Sequence, residues 1–408
     1  MKYCLIGEKL GHSYSSFIHN RMGVEYSLQA FPASDLPNFV ASRKFDGFNV
    51  TIPYKKAIIP YLDGISQEAK KIGAVNTVIN KNGKLLGYNT DYFGLTYALK
   101  KANIVIKNKN VIILGSGGAS LTAQTVCLDQ KAKSITVVSR TGQVNYNNVY
   151  DKKNAQVVIN CTPVGMFPKI NDSIIDLTKF PLLEGVFDLI YNPLRTKFIL
   201  QAESLGVKVG NGLRMLVAQA VKSEEIWQNK KFSDMDIENI YKELLRENLN
   251  VVLIGMASCG KSTIGISLAE RLGKNYVDTD EEIFNTFGKT PQEIIINQGE
   301  SVFRQKEREV VKKIAKLRDY VIATGGGVCL NGDNVVDLKA NGIVILINRD
   351  LNLLNCDNRP ISKTEGIKEL YARRKSIYEN AKDFTVENNS TVSDAVESVE
   401  KIYENFSN

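Results

Sequence analysis

Short apolar runs alternate with longer segments of mixed polarity along the chain, as in proteins that alternate strands and helices. Residues 1–7 predict a first buried strand, and residues 111–114 predict another that runs into the glycine-rich turn 115–118. After a helix-length segment, further strands are predicted at 134–139, 157–160 and 185–191. The order strand, glycine turn, helix, strand is typical of the nucleotide-binding unit of a doubly wound parallel sheet.

The same order of elements starts again in the second half of the chain. Charged, helix-forming residues dominate positions 233–250, and a new buried strand is predicted at 251–254. A glycine-bearing loop at 255–261 and a helix at 262–272 follow that strand. Further predicted strands lie at 320–323 and 343–347. Two glycine loops, each after a buried strand, imply an α/β chain with two separate nucleotide sites.

Length and composition narrow the class of protein. With 408 residues, 43% of them hydrophobic and 24% charged, the chain suits two or three globular domains. No apolar run approaches the roughly 18 residues that would span a bilayer, and the start is apolar too briefly for a signal peptide. The six cysteines are scattered without a C-x-x-C pair, which is typical of a reducing cytosol. We therefore expect a cytoplasmic protein without a membrane partner.

The formal net charge of +8 does not identify a partner. Lysines are spread along the chain, and no block interleaves basic with aromatic residues, so we expect no nucleic-acid partner. Small anionic substrates would account for the positive net charge, and so would an ordinary solvated basic surface. An oligomer is compatible with the sequence.

The loop 255–262 reads Gly-Met-Ala-Ser-Cys-Gly-Lys-Ser and fits the P-loop pattern G-x-x-x-x-G-K-[ST] without a mismatch. Its glycines let backbone N–H groups turn inward and cradle phosphates at the positive end of the next helix. Lys261 is expected to reach the β- and γ-phosphates, and the Ser262 hydroxyl to bind Mg²⁺. The loop predicts a nucleoside triphosphate without naming the phosphoryl acceptor.

Candidate acceptor-binding residues follow the P-loop. Asp278 and Asp280 close a predicted strand, where one carboxylate can hold the Mg²⁺ shell and the other can orient an attacking hydroxyl. Taken alone, such a pair is more often the polar end of a strand than a site. Further on, Arg304 ends the motif Gly-Glu-Ser-Val-Phe-Arg, and residues 325–327 are three glycines whose bare backbone can approach a substrate closely.

In this order, the motifs resemble those of shikimate kinase over essentially the whole segment from residue 251 onward. The resemblance implies that Asp280 binds the shikimate hydroxyls and acts as base for the 3-hydroxyl. It also implies that Arg304 and Arg374 pair with the shikimate carboxylate, a bidentate role that Lys fills less well. The residues implied to bind shikimate are Asp280, Arg304, Gly325, Gly326, Gly327 and Arg374.

The same resemblance implies an ATP and magnesium site. Ser262 and Asp278 would hold Mg²⁺, Lys261 would be catalytic, and Arg359 would reach the ATP phosphates from a lid. The sequence departs from the family pattern between Arg359 and Arg374, where the lid segment is shorter. The implied ATP-binding residues are Gly255, Ser258, Cys259, Gly260, Lys261, Ser262, Thr263 and Arg359.

The N-terminal segment carries a second set of motifs, each of them weak alone. They are His-Ser-Tyr-Ser at 12–15, Ile-His-Asn at 18–20, Asn-Val-Thr-Ile-Pro-Tyr-Lys at 49–55, Gly-Ala-Val-Asn-Thr at 73–77 and Gly-Tyr-Asn-Thr-Asp at 87–91. Together and in this order they resemble shikimate dehydrogenase from the first residue to about residue 228. Ser16 stands where that family usually has proline.

The resemblance implies that Ser13 and Ser15 bind the substrate carboxylate and that Lys55 and Asp91 are the catalytic pair. The other implied substrate-binding residues are Thr51, Asn76, Tyr191 and Gln219. The chemistry supports this independently, because reducing a ketone by hydride needs a proton donor beside the developing alkoxide. A Lys held by an Asp can supply that proton.

The predicted cofactor is NADP(H). Residues 115–119, Gly-Ser-Gly-Gly-Ala, are a variant of the dinucleotide fingerprint. After the next strand stands Arg140, where an NAD enzyme usually holds the ribose with Asp or Glu, and an Arg there can bind a 2′-phosphate. The family's Asn-Arg-Thr motif corresponds to residues 139–141. The implied NADP-binding residues are Gly115, Gly117, Gly118, Ala119, Ser139, Arg140, Thr141 and Gly212.

These observations predict a bifunctional enzyme with four segments. Residues 1–100 and 211–230 form a substrate-binding α/β domain, 101–210 a Rossmann domain, 231–249 a linker helix, and 250–408 a P-loop kinase domain. The first half would reduce 3-dehydroshikimate to shikimate with NADPH, and the second would phosphorylate shikimate with Mg·ATP. The alternative is a quinate/shikimate dehydrogenase fused to a different or inactive small-molecule kinase that acts as a nucleotide-binding regulator.

Overall fold

A computed structural model describes residues 2–10, 14–354 and 366–407. The chain divides into two compact units. The first comprises Met1–Asn192 and Thr196–Tyr241, and the second comprises Pro193–Arg195 and Lys242–Asn408. Within the described ranges, no helix has both the length and the apolar character needed to cross a membrane.

The first unit opens on a mixed six-stranded sheet. Its strands are β1 (Tyr3–Gly7), β2 (Tyr26–Ala30), β3 (Gly47–Val50), β4 (Gly64–Ile65), β5 (Thr77–Lys81) and β6 (Lys84–Tyr88). They lie in the order β2-β1-β3-β5-β6-β4, and β5 runs antiparallel to both of its neighbours. The helices of this region are α1 (Ser15–Arg21), α2 (Leu36–Ser42), α3 (Tyr54–Ala57), α4 (Gln67–Ile72) and α5 (Asp91–Lys101).

Burial explains why the first predicted strand forms. All five residues of β1 are buried, and β1 lies between β2 and β3 with parallel pairing on both sides. Strands covered on both faces need a continuous apolar run rather than an alternating one. The expectation of a buried strand at the start of the chain is therefore confirmed.

The second sheet of the first unit is parallel throughout and has five strands. They are β7 (Asn110–Leu114), β8 (Ser134–Val138), β9 (Val157–Asn160), β10 (Gly185–Asp188) and β11 (Lys208–Asn211), and they lie in the order β11-β10-β9-β7-β8. The helices are α6 (Gly118–Asp129), α7 (Lys197–Ser204), α8 (Gly212–Gln228) and α9 (Asp234–Asn248). The boundary between the two units falls inside α9.

One predicted strand ends earlier than expected. The run 185–191 forms a strand only as far as Asp188, because the Asp188 carboxylate accepts a hydrogen bond from the backbone N–H of Ile190 at 3.1 Å. A side chain that bonds its own backbone two residues on competes with the sheet ladder and favours a turn. Tyr191 therefore lies beyond the end of β10.

The second unit is a parallel five-stranded sheet with helices. Its strands are β12 (Asn250–Ile254), β13 (Asn275–Asp278), β14 (Tyr320–Ala323), β15 (Gly342–Asn348) and β16 (Phe384–Glu387), in the order β13-β14-β12-β15-β16. Its described helices are α10 (Lys261–Leu272), α11 (Thr279–Phe287), α12 (Pro291–Gln298), α13 (Glu300–Ile314), α14 (Gly332–Ala340), α15 (Ile367–Ala381) and α16 (Val392–Ser407). Short 3-10 helices of the chain lie at Ala33–Asp35, Ile59–Tyr61, Val149–Asp151, Leu177–Lys179, Val328–Leu330 and Leu351–Leu353.

The α/β fold class predicted from the sequence is confirmed. In both parallel sheets, the first strand of the region (β7 or β12) lies inside the sheet and ends in a glycine loop that leads into a helix. Crevices at the carboxyl ends of parallel strands are where such sheets bind ligands. The fold therefore places the two glycine loops where nucleotides bind.

Candidate active sites

Lys55 and Asp91 form an ion pair in the first unit. Lys55 lies on α3, Asp91 opens α5, and Lys55 Nζ donates to Asp91 Oδ2 at 2.6 Å. The Lys55 side chain is 22% exposed and that of Asp91 is 13% exposed. The two side chains are thus mostly buried but remain partly accessible to a ligand, and the carboxylate fixes the position of the ammonium group. This arrangement can deliver a proton to a bound oxygen atom.

Asn76 and Gln219 lie together in a polar cluster of the same unit. Asn76 Nδ2 lies 3.4 Å from Gln219 Oε1 and donates to Thr90 Oγ1 at 3.0 Å. Thr90 immediately precedes Asp91, and its backbone N–H donates to Asn76 Oδ1 at 2.7 Å. The structure therefore joins the predicted substrate-binding residues Asn76 and Gln219 to the chain beside the predicted catalytic Asp91.

Three further predicted substrate residues lie at element ends. Thr51 follows β3, and its backbone N–H donates to Ile6 O at 3.0 Å. Ser15 is buried at the start of α1. The ring of Tyr191 lies 5.5 Å from that of Tyr14, in a tilted arrangement. Ser13 lies outside the described residues.

The loop after β7 leaves room for a phosphate group. Gly115 has φ +101°, a left-handed conformation that glycine adopts without strain. Gly117 caps α6, and a β-carbon on Gly117 or Gly118 would meet no atom within 4 Å. Ala119 continues the first turn of that helix. Open space over a helix N-terminus lined by backbone N–H groups suits a phosphate anion.

The loop after β8 lies beside that phosphate loop, because β7 and β8 are neighbouring parallel strands. Ser139 is half-buried, and Arg140 and Thr141 are exposed. An exposed guanidinium here fits the 2′-phosphate of NADP(H). Gly212, the first residue of α8, is closely packed instead: a β-carbon there would lie 2.0 Å from Leu189 O.

The P-loop of the second unit connects β12 to α10 and encloses its own lysine. Lys261 is buried, and its Nζ donates to Gly255 O at 3.0 Å and to Met256 O at 2.8 Å. Gly255, Ser258 and Gly260 have positive φ angles, and a β-carbon on Gly255 would lie 2.4 Å from Ile347 O. Cys259 is buried, whereas Thr263 is exposed on α10. The loop is thus a tight cradle that a longer residue at Gly255 would disrupt.

Ser262 and Asp278 offer oxygen atoms for Mg²⁺. Ser262 Oγ donates to Asp278 Oδ2 at 2.7 Å. Burial and the neighbouring Asp278 charge raise the pKa of Tyr276 above its ordinary value, so Tyr276 stays protonated beside this carboxylate. Within the described residues, no group of three or more His, Cys, Asp or Glu side chains could hold a metal ion. Mg²⁺ on a nucleotide needs only one or two protein oxygens besides phosphates and water, so the hydroxyl and carboxylate fit it.

Asp280 lies beside the triple-glycine loop. A β-carbon on Gly325 would lie 2.6 Å from Asp280 Oδ1, and the backbone N–H of Gly325 donates to Thr279 Oγ1 at 2.8 Å. A β-carbon on Gly326 would lie 3.0 Å from the amide nitrogen of Ala257 in the P-loop. The glycines therefore bring the backbone close both to the carboxylate and to the phosphate cradle.

Arg304 is held above this loop by two glutamates. Its Nη1 donates to both carboxylate oxygens of Glu307 at 3.0 and 2.9 Å, and its Nη2 donates to Glu300 at 2.9 Å. A β-carbon on Gly327 would lie 2.4 Å from the guanidinium. Burial raises the pKa of Glu307, while the charge of Arg304 opposes that shift. The guanidinium is thus fixed in a semi-enclosed position.

Arg374 approaches the same loop from α15. Its Nη1 donates to Gly326 O at 3.1 Å, and the hydroxyl of Tyr378, one turn further on, donates to the same oxygen. Arg374 is buried, and its Nε has no hydrogen-bond partner among the described residues. The structure thus gathers Asp280, Arg304 and Arg374 around residues 325–327. Arg359 lies outside the described residues.

Sequence reasoning assigned no role to several residues that support these sites. They are Thr90, Ser223, Thr279, Glu307 and Tyr378. Helical spacing provides a signal for two of them, because Ser223 follows Gln219 by four residues and Glu307 follows Arg304 by three. That spacing places each on the same helix face as a predicted site residue.

Two family models match separate parts of the chain. The model of the shikimate dehydrogenase substrate binding domain matches residues 5–78, and that of shikimate kinase matches residues 257–406. The chain is 40% identical over 262 residues to the shikimate dehydrogenase (NADP(+)) of Clostridium perfringens, covering 59% of this chain and 97% of that protein. It is 40% identical over 257 residues to the enzyme of the same name from Methanococcus maripaludis, covering 56% and 91%.

Solved structures agree with these relatives. A chorismate mutase/shikimate 5-dehydrogenase fusion protein from Clostridium acetobutylicum superimposes with a TM-score of 0.57 at 40% identity, covering 60% of this chain and 96% of that one. Shikimate 5-dehydrogenase from Thermus thermophilus, solved with NADP(H) and shikimate, gives a TM-score of 0.54 at 29% identity, covering 60% and 99%. The chain therefore belongs to the shikimate dehydrogenase family over 59–60% of its length and carries a shikimate kinase domain at residues 257–406.

Proposed function

We propose that the first unit reduces 3-dehydroshikimate to shikimate with NADPH and that the second unit phosphorylates the 3-hydroxyl of shikimate with Mg·ATP. One observation carries the proposal. A single chain holds the Lys55–Asp91 pair in one unit and the Lys261 cradle with the Ser262–Asp278 contact in the other. The product of the first reaction is the acceptor of the second.

In the reduction, the side chains of the first unit orient the ketone and supply the proton. Bound NADPH supplies the hydride. Lys55 donates a proton to the oxygen as the carbonyl becomes an alcohol, and Asp91 holds the ammonium group in place. Asn76 and Gln219 would hold the ring hydroxyls, while Ser13 and Ser15 would bind the carboxylate.

In the phosphoryl transfer, positioning and charge stabilisation provide most of the catalysis. Asp280 would accept the proton of the 3-hydroxyl. The oxygen of that hydroxyl would bond to the γ-phosphorus of ATP while ADP leaves. The phosphates would take over the hydrogen bonds that Lys261 now donates to Gly255 O and Met256 O. Ser262 and Asp278 would hold Mg²⁺, which neutralises the phosphate charge, and Arg304 and Arg374 would bind the carboxylate.

The test for the first unit is a panel of oxidised substrates and cofactors. Initial rates should be highest with 3-dehydroshikimate and NADPH, because Arg140 offers a cation where an NAD enzyme has a carboxylate. The matched comparisons are NADH in place of NADPH and 3-dehydroquinate in place of 3-dehydroshikimate. A preference for either replacement would contradict the proposal.

The second candidate function is a quinate/shikimate dehydrogenase joined to a different or inactive kinase that acts as a nucleotide-binding regulator. A regulator requires lost catalytic residues, yet Lys261, Asp280, Arg304 and Arg374 are all present. The discriminating measurement is formation of shikimate 3-phosphate from shikimate and Mg·ATP. Nucleotide binding without that product would favour the second candidate.

A further inference from the structure

Three buried hydroxyl groups form a triangle beneath the candidate reduction site. Thr77 Oγ1 lies 3.1 Å from Thr90 Oγ1 and 2.9 Å from Ser223 Oγ, and Thr90 Oγ1 lies 3.2 Å from Ser223 Oγ. The three residues are 0%, 2% and 0% exposed, respectively. They come from β5, from the cap of α5 and from α8. The triangle therefore joins three elements that are distant in sequence.

The amide of Asn49 completes this network, and its contacts fix its orientation. Asn49 Oδ1 accepts from the Tyr26 hydroxyl at 2.7 Å, so its Nδ2 faces Ser223 Oγ and Thr77 Oγ1, each at 3.0 Å. Burial raises the pKa of Tyr26 well above its ordinary value, so the hydroxyl keeps the proton that it donates to Asn49 Oδ1. The amide of Asn49 therefore contacts two members of the triangle and also donates to the carbonyl oxygen of Asn76 at 3.2 Å.

The triangle also contacts residues proposed to meet the substrate. Thr77 Oγ1 donates to Asn76 Oδ1 at 3.1 Å, and Thr90 Oγ1 lies 3.4 Å from Gln219 Oε1. Ser223 Oγ donates to the carbonyl oxygen of Gln219, one turn earlier on α8. A hydroxyl carries one donor and two acceptor sites, so each member has little freedom to choose another partner.

We infer that Ser223 and Thr77 are positioning residues of the reduction site. They act through the hydroxyl triangle, which fixes the positions of Asn76, Gln219 and the backbone at Asp91 relative to one another. This inference rests on the proposed reduction of 3-dehydroshikimate. Removing one hydroxyl leaves buried donors without partners, and such groups reorient to find others. The effect falls on the groups that bind the substrate ring, whereas the NADP loop after β7 makes none of these contacts.

The test compares Ser223→Ala, Thr77→Val and their double variant in the full chain. Each single variant should raise the KM for 3-dehydroshikimate by about tenfold or more, because a buried donor is left unpaired, while the KM for NADPH stays within about twofold. The double variant should lose about as much as one single variant, because both substitutions break the same network. Thr77→Ser keeps the hydroxyl and should behave as the native chain does.

Thr125→Val is the matched control for loss of a buried hydroxyl elsewhere in the unit. Thr125 Oγ1 donates to Leu121 O within α6 at 2.9 Å, and among the described residues no hydrogen bond joins it to the hydroxyl triangle, so its removal should leave both KM values unchanged. Three results would overturn the inference: a Ser223→Ala variant within about twofold of the native chain, a loss that Thr77→Val does not share, or a double variant that shows the product of both losses. A native chain that fails to reduce 3-dehydroshikimate would instead refute the proposed function itself.

Discussion

At the scale of single residues, the cations of both sites already have partners before any ligand binds. Lys55 is paired with Asp91, Lys261 donates to two carbonyl oxygens, and Arg304 is held by Glu300 and Glu307. Each cation is therefore oriented in advance. We expect an anionic ligand that binds one of these cations to replace hydrogen bonds that the cation makes within the protein. The affinity of that ligand then depends more on how well its oxygen atoms fit the positions of the cations than on the net charge of the protein.

Arg304→Lys tests the need for a planar guanidinium in the kinase. Lysine lacks the forked donor pair that binds a carboxylate while still contacting Glu307. We expect the KM for shikimate to rise about tenfold or more, with the KM for ATP unchanged. Initial-rate kinetics of shikimate 3-phosphate formation measure both constants.

Arg308→Lys is the matched control for that substitution. Arg308 lies one turn further along α13 and pairs with Asp337 of α14 at 2.6 Å. Its replacement should leave the KM for shikimate unchanged. Equal effects of the two substitutions would mean that Arg304→Lys raises the KM by disturbing helix α13 and not by removing a contact with shikimate.

Asp188→Asn tests a buried acid of the first unit. Burial raises the pKa of Asp188 from 3.8 to about 7. Below about pH 3 the folded and unfolded forms both keep the proton; between about pH 4 and pH 7 only the unfolded form releases it, so the native residue increasingly destabilises the fold as the pH rises. An Asn can accept from Asn160 and donate to Thr196. We expect the Asn variant to be about 4 kcal/mol more stable than the native chain at pH 8, with little difference near pH 3.

Fluorescence of Trp227 during urea unfolding measures this stability, because Trp227 is the single tryptophan and lies in the first unit. Asp176→Asn is the control. Hydrogen bonds, first that from the Thr178 side chain, hold the pKa of Asp176 below its ordinary value. Asp176 is thus ionised in both states from pH 5 to 8, and its replacement should change stability by the same amount throughout. A pH-independent difference for Asp188→Asn would contradict the account.

Residues in contiguous motifs were readable from the sequence, and their supporting partners were not. Lys261 follows from the P-loop pattern, because the loop and its helix are local in sequence. Ser223 contacts Asn49 across 174 positions, and no local pattern predicts that contact. Such partners are fixed by the packing of β3, β5 and α8, which only the three-dimensional structure provides.

At the scale of elements, apolar runs bounded by glycine predicted the central strands well. The strand predicted at 157–160 matches β9, and that predicted at 320–323 matches β14. The order of strands in each sheet was not readable, because β7 lies between β8 and β9 through crossovers that leave no mark on any single strand. The early end of β10 at Asp188 was missed for a similar reason, since a side-chain hydrogen bond ends it.

Gly212→Ala tests the junction between β11 and α8. A β-carbon there would lie 2.0 Å from Leu189 O and 2.6 Å from the Leu189 carbonyl carbon, and backbone atoms cannot yield cheaply. We expect Trp227 fluorescence to report a first unit destabilised by about 2 kcal/mol or more, with loss of the reductase activity. Phosphorylation of shikimate should persist, because Gly212 lies in the other unit.

Gly118→Ala is the control for that glycine. A β-carbon on Gly118 would meet no atom within 4 Å, so the substitution should leave the stability of the first unit unchanged even where it weakens binding of NADPH. An equally stable Gly212→Ala variant would contradict the close packing described for this junction.

At the scale of the whole molecule, the predicted site residues separate by unit. All residues proposed for reduction belong to the first unit, and all residues proposed for phosphoryl transfer belong to the second. The four predicted segments, 1–100 with 211–230, 101–210, 231–249 and 250–408, stay predictions. Separate sites imply that a substitution in one unit removes one activity and leaves the other.

The most direct test is a single reaction of the full chain with 3-dehydroshikimate, NADPH and Mg·ATP, in which NADPH loss and shikimate 3-phosphate formation are followed separately. The native chain should do both. Lys55→Ala should stop NADPH oxidation yet still phosphorylate added shikimate, and Lys261→Ala should oxidise NADPH and accumulate shikimate. If NADPH is consumed by the native chain but no phosphate ester forms, the second unit is not a shikimate kinase in function, and the two-reaction account is contradicted.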